Sequence, residues 1–243
     1  MMRQWVLFLV ATCLCGKDLF AGDLPAAFAR DTRILFQGDS ITDGGRWHSS
    51  DPNHILGQDY AYLIAADIGG HFPEQNLTFI NRGVSGNTVS DLAARWQKET
   101  LDLKPDILSM LIGVNDVWHN LDKTNHVSSA EFEKSYDQIL AAARAANPQL
   151  KIVLCEPFIL PGRANERHWD EWQADIKSVR AVIGKLGEKY QAPVVNFQAV
   201  FDAATNRAPV NYWIWDGVHP TYAGHQLMAD EWLRVVRQTW PKP

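Results

Sequence analysis

Four short stretches of this 243-residue chain carry residues able to do covalent chemistry. Gly38-Asp39-Ser40 ends the apolar run Ile34-Leu35-Phe36-Gln37, so a serine hydroxyl stands where a buried strand stops. A serine hydroxyl is a weak nucleophile near neutral pH and needs an adjacent base, itself oriented by a third group. Trp215-Asp216-Gly217-Val218-His219-Pro220 offers both. Three positions separate Asp216 from His219, which lets the carboxylate hold one imidazole nitrogen while the other faces Ser40. Acyl transfer also requires donors aimed at a developing oxyanion. Gly86, in Asn81-Arg82-Gly83-Val84-Ser85-Gly86-Asn87, can present a bare backbone N–H, and Asn115, in Gly113-Val114-Asn115-Asp116, a side-chain amide. Taken singly, the last three read more readily as structure: a surface turn with a helix cap, a turn glycine, a loop-capping asparagine.

What could bring positions 40 and 219 together is a parallel sheet. Strand-like segments at Arg33–Gln37, Leu77–Ile80, Asp106–Ile112, Lys151–Cys155 and Pro193–Phe197 alternate with helical patterns. Tyr60–Ile68 has helical spacing and is expected to stop at Gly69-Gly70. Val89, Leu92, Ala93 and Trp96 stripe a second helix, Phe132, Tyr136, Ile139, Leu140 and Ala143 a third, behind a Ser128/Glu131 capping box. Trp172, Ile176, Val179, Ile183 and Leu186 mark the longest, and Met228, Trp232 and Val235 the last, which Pro220 is expected to open. Right-handed crossovers then give a three-layer α/β/α sandwich around a five-stranded parallel sheet. The loops after the first three strands would share one edge, where open α/β sheets bind ligands.

Taken together, the four stretches resemble the GDSL, or SGNH, hydrolase family, with Ile41 where the family's name has leucine. The resemblance runs from Ile34 to about Gly224, in family order. It implies a flavodoxin-like SGNH fold, with Ser40 as nucleophile, His219 as general base and then acid, and Asp216 orienting it. It also implies an oxyanion hole made by the Ser40 and Gly86 backbone N–H groups with the Asn115 amide, and an acyl-enzyme that water resolves. No cofactor and no metal is expected: His119 and His126 lie seven apart without a completing ligand, and the Gly-Asp-Ser loop lacks the Lys-Ser/Thr of a phosphate-binding loop.

Arg3 and the apolar run Trp5–Cys15, then Lys17-Asp18 and small Ala21-Gly22, form a secretory signal pattern over residues 1–22, with the hydrolase domain at 23–243. The run is too short for a membrane span, which needs roughly 20 apolar residues. Thr12 and Leu14 stand where a lipoprotein signal wants a small residue. Cleavage would leave no stable membrane anchor, and a balance of 21 basic and 27 acidic residues that disfavours nucleic acid or anionic lipid as the main partner. A secreted or periplasmic monomer is expected. Cys155, in an apolar run, reads as a small core hydrophobe. Glu166, Asp170 and Glu171 read as a solvated helix start, and Asp39 and Asp116 as loop-shaping carboxylates.

Substrate identity is less legible. Ten tryptophans are present, and Trp213 and Trp215, with Tyr212, crowd the approach to Asp216. They are the candidate substrate-binding residues, able to stack on sugar rings. The expectation is a short acyl ester, acetyl above all, on a carbohydrate. Alternatives are a lipid or simple-ester acylhydrolase, lysophospholipase- or thioesterase-like, and a non-catalytic carbohydrate-binding protein with a displaced triad member.

Overall fold

The computed structural model describes residues 24–47, 49, 51–122 and 127–242. The export signal and His126 fall outside them. The elements, in chain order, are β1 (Arg33–Gly38), α1 (Ser40–Asp43), α2 (Tyr60–His71), β2 (Thr78–Asn81), α3 (Val89–Trp96), β3 (Ile107–Leu111), α4 (Val114–Leu121), α5 (Ser129–Ala146), β4 (Lys151–Cys155), α6 (Trp169–Tyr190), β5 (Val194–Val195), α7 (Phe197–Ala204), α8 (Val210–Trp213) and α9 (Tyr222–Thr239).

The strands form one parallel sheet in the order β2-β1-β3-β4-β5. β1 is the point where the order reverses, and a crevice therefore opens beyond the carboxyl ends of β1 and β3. Register places Gly38 beside Leu111 and Leu111 beside Cys155. Both faces are covered, by α2, α7, α8 and α9 in one contacting group and α3, α4, α5 and α6 in another. Ile34, Leu35 and Phe36 are accordingly fully buried although they alternate between faces. Trp232 of α9 packs on Phe36 with ring centroids 5.5 Å apart, and its indole N–H donates to Ser109 Oγ of β3 at 3.0 Å. Cys155 is buried, as a core residue should be. No helix among the described residues is long and apolar enough to cross a membrane.

Three element boundaries differ from expectation. α2 runs through Gly69 and Gly70 to His71; exposed glycines weaken a helix by about 1 kcal/mol each without forcing a stop. The helix ends at Phe72, which precedes Pro73 and is barred from helical geometry by the proline ring. Pro220 does not open α9: it forms an antiparallel bridge with Ile214, and the Thr221 side chain caps the helix by accepting from Gly224 N–H. β5 is only two residues long because Asn196 caps α7 directly behind it.

Candidate active site

β1 ends at Gly38, and Asp39 turns the chain by accepting the Ile41 N–H on Oδ1 at 3.0 Å. Ser40 is thus the first residue of a short helix, a position whose N–H has no acceptor within the helix. Its Oγ lies 2.9 Å from His219 Nε2. His219 Nδ1 lies 2.8 Å from Asp216 Oδ2. The other carboxylate oxygen of Asp216 accepts the N–H groups of Val218 at 2.9 Å and His219 at 2.8 Å, which folds the turn around the carboxylate. With Nδ1 protonated toward Asp216, Nε2 is the acceptor for the Ser40 hydroxyl.

The other two strand-end loops converge on the same place. The β2–α3 loop is tied to β1 by Val84 N–H donating to Gly38 O at 3.1 Å. It is tied to α1 by Ser85 N–H and Oγ donating to Asp43 Oδ2 at 3.0 and 2.9 Å. Gly86 sits at φ 82°, a left-handed backbone that an L side chain would strain. Asn115, in the first turn of α4, donates Nδ2 to Asn87 O at 3.0 Å, leaving its second N–H uncommitted by that bond. Ser40, Ser85, Gly86, Asn115 and His219 line one open cleft of about 750 Å³, together with Trp118, His119 and Asp122.

The electrostatics suit a base beside a hydroxyl. The Asp216 hydrogen bond holds the His219 imidazolium above the ordinary 6.5 against the opposing effect of burial. Burial pushes the Asp216 carboxyl up, but the bonds from the His219 ring and from the His219 and Val218 N–H groups win, and it lies below 3.8. Beneath them, burial raises Asp39 to about 7 against the Ile41 N–H and the His219 charge. Asp116, which accepts Val89 N–H on both oxygens at 3.2 Å, is raised by burial to about 7 as well. Both carboxylates shape loops, as their positions in the sequence suggest. His225 is buried and pushed down to about 4, by burial and then by the His219 charge, which leaves it a far weaker base than His219.

The structure brings Ser40, Gly86, Asn115 and His219 to one cleft, with Asp216 buried behind His219. It does not do so for the two tryptophans. Trp213 is 5% exposed, its indole N–H donates to Ala208 O at 3.2 Å, and it anchors α8 in the core. A ring so enclosed has no face for a sugar, so the substrate-binding expectation for Trp213 is corrected. Trp215 is half exposed, but the Arg163 guanidinium covers its ring at 4.0 Å and it lies outside the cleft lining. The aromatic wall is Trp118, half-buried, 6.5 Å from the His219 ring and edge-on to Trp172 at 5.6 Å. Its signal was the helical spacing of three from Asn115.

The segment behind the Asp216 turn was also missed. Leu160 N–H donates to Gly217 O at 3.0 Å, Ala164 N–H to Asp216 O at 2.9 Å, and buried Asn165 Nδ2 to Gly217 O at 3.3 Å. Gly162 lies so close that a Cβ there would overlap the backbone of Asp216 and Gly217. The Pro161-Gly162 dipeptide was the available hint.

A hydroxyl, an imidazole and a carboxylate in series at the switch point of a parallel sheet mark the class of α/β-sandwich ester hydrolases. The model of the GDSL-like Lipase/Acylhydrolase family matches residues 36–227, and the chain belongs to that family. An acetylxylan esterase of Geobacillus stearothermophilus is 33% identical over 215 residues, spanning 86% of this chain and 95% of that protein. Among solved structures, a putative GDSL-like lipase from Parabacteroides merdae superposes with a TM-score of 0.82 at 39% identity, covering 86% of this chain and 96% of that one. A catalytic mutant of the Geobacillus acetylxylan esterase superposes at 0.76 with 31% identity, covering 86% and 95%. The chain is a carboxylic ester hydrolase of the SGNH type. That assignment sets aside the non-catalytic binding protein.

Proposed function

We propose that the chain is an exported acetylesterase of carbohydrate that works through a Ser40 acyl-enzyme. His219 Nε2 takes the Ser40 proton as Oγ attacks the ester carbonyl, and returns it to the departing sugar oxygen. Water then attacks the acyl-enzyme with His219 again as base, releasing acetate. Asp216 fixes the tautomer and stabilises the imidazolium without itself being protonated. The Ser40 and Gly86 N–H groups and the Asn115 amide hold the negative oxygen of both tetrahedral intermediates. The observation that carries this reading is the unbroken chain Ser40 Oγ–His219–Asp216, at 2.9 and 2.8 Å, opening on a cleft that Gly86 and Asn115 also line.

Two further observations support it. Catalytic mutants of the Geobacillus acetylxylan esterase replace a serine, an aspartate and a histidine. That serine and histidine are 179 positions apart, and that aspartate and histidine 3, as are Ser40 and His219, and Asp216 and His219. The cleft is open and walled by Trp118, which gives a sugar ring a face to stack on. Export rests on the signal pattern at residues 1–22.

The lipase-like relative favours a second reading, hydrolysis of longer acyl esters. A panel of acetylated xylo-oligosaccharides and of acetyl to octanoyl nitrophenyl esters separates the two. Acetyl groups on sugar, released by the wild-type protein and not by the Ser40→Ala variant, are expected. A preference for octanoyl over acetyl would contradict the carbohydrate reading and leave the serine mechanism standing.

A further inference from the structure

One side chain bonds to the chain segments that carry the Ser40 and Gly86 N–H groups and to the residue that orients the Asn115 amide. Arg95 projects from α3 back toward the loop that precedes the helix. Its Nε donates to Asn87 Oδ1 at 2.8 Å, its Nη1 to Arg82 O at 2.8 Å, and its Nη2 to Gly38 O at 3.4 Å. Gly38 O stands two residues before Ser40 and also accepts the Val84 N–H. Arg82 and Asn87 bracket Gly86. The backbone carbonyl of Asn87 is the acceptor that orients the Asn115 amide.

From these bonds we infer that Arg95 is the positioning residue of the oxyanion hole, one guanidinium setting Ser40, Gly86 and Asn115 relative to one another without touching substrate. The inference rests on the roles proposed above for those three groups. Geometry explains why arginine is needed. A guanidinium presents five N–H donors in a rigid planar fork, and three acceptors from two chain segments, the end of β1 and the β2–α3 loop, lie around this one. A lysine ammonium is a single point on a flexible stem and cannot span them. The sheet ladder does not make the link redundant. It fixes the root of the loop through Arg82 N–H to Phe36 O, but β2 ends at Asn81 and the chain has left the sheet by Gly86. Arg95 is half-buried among other charges. Burial works against its cation, Glu99 and Asp91 offset that cost, and Arg46 and Arg82 add to it. Arg82 is itself paired with Glu99 at 3.0 Å, and Arg46 donates to Gly83 O at 2.9 Å. Those two contacts brace the loop from outside, whereas Arg95 alone reaches Gly38, Arg82 and Asn87.

The test counts reactive serines with a chromogenic nitrophenyl phosphonate run to completion. It then measures kcat per titrated site and KM on nitrophenyl acetate, with circular dichroism to confirm folding. Arg95→Ala is expected to titrate fully and to lose roughly 100-fold in kcat per site, with KM within about threefold of wild type, since misplacing a donor by about 1 Å costs that much. Arg95→Lys is expected to recover little of the loss. Asn87→Ala, which removes one limb and leaves the carbonyl that holds Asn115, is expected to lose roughly tenfold, and the double variant to be no worse than Arg95→Ala, because the two groups act in series. Fewer titratable sites with normal kcat per site would make Arg95 a merely structural residue and overturn the inference, as would additive losses. Should Arg95→Ala fail to fold, Asn87→Ala decides: unchanged kcat per site refutes it. A wild-type protein that does not titrate at Ser40 would instead overturn the serine mechanism, and this inference with it.

Discussion

The two halves of the site are held in place by different means. Ser40, Gly86 and Asn115 stand at the ends of β1, β2 and β3, which are hydrogen-bonded neighbours. Sheet register places the roots of their loops, hydrogen bonds from Arg95 carry that order out beyond the strands, and β1 is buried from Ile34 onward. The Asp216–His219 turn has no strand of the sheet below it. It lies between α8 and α9, pinned by its own carboxylate, by Trp215 N–H donating to His219 O at 3.1 Å, and from behind by residues 160–165. One half of the site therefore grows from the ends of neighbouring strands, and the other from a turn braced by residues 160–165. Substitutions far from the chemistry should accordingly harm the histidine side first.

The largest expected effect lies within the turn itself. Asp216→Asn should keep the fold and reduce kcat by about 10⁴, the scale set by the loss of a triad carboxylate. It should also reveal the pH logic. The proposed mechanism works from neutral His219, so wild-type kcat/KM should rise with pH through a midpoint above 6.5, because the bond to Asp216 favours the imidazolium. In the Asp216→Asn variant that midpoint should fall. An unchanged midpoint would mean that another group sets the profile.

Next in size is Gly162→Ala. A methyl there would overlap the Asp216–Gly217 backbone, so the turn must shift. A loss of about 10² in kcat is expected, with a stability cost of about 1–3 kcal/mol. Crystal structures of the variant should show the imidazole displaced and Ser40, Gly86 and Asn115 unmoved. Movement of the strand-end groups instead would erase the contrast between the two halves.

The smallest effect separates the tryptophans. Trp118→Ala should raise KM for acetylated oligosaccharides about tenfold, the worth of one stacked ring. Trp213→Ala should leave KM unchanged and cost about 3–5 kcal/mol in chemical denaturation, as loss of a buried ring does. The reverse pattern would restore Trp213 as a sugar platform.

The same contrast explains what could be read in the chain beforehand. β1, β3 and β4 were legible because a parallel strand buried on both faces leaves an apolar run, β2 as a short apolar stretch before a glycine-bearing loop, and α5 because a Ser128/Glu131 box and a five-residue stripe agree. Ser40, Gly86 and Asn115 were legible because each follows such a run. His219 and Asp216 were legible only as a pair of types at a spacing. The hydrogen bonds from residues 160–165 that hold them join positions more than fifty apart in the chain and leave no periodic trace. α1 and α8, four residues each, are too short to show a 3.6-residue period, and α4 and α7 escaped although α3, of the same eight residues, was legible from its stripe. Arg95 looked like any charged residue on an amphipathic helix. Its value lies in three acceptors, two of them backbone carbonyls, that composition cannot show.

The most direct measurement is to label the protein with a fluorophosphonate and locate the adduct by mass spectrometry, with the His219→Ala variant alongside. One stoichiometric adduct on Ser40, formed in the wild-type protein and slowed by orders of magnitude in the variant, is the expected result. An adduct on another residue, or labelling of Ser40 at the same rate without His219, would contradict the serine–imidazole mechanism.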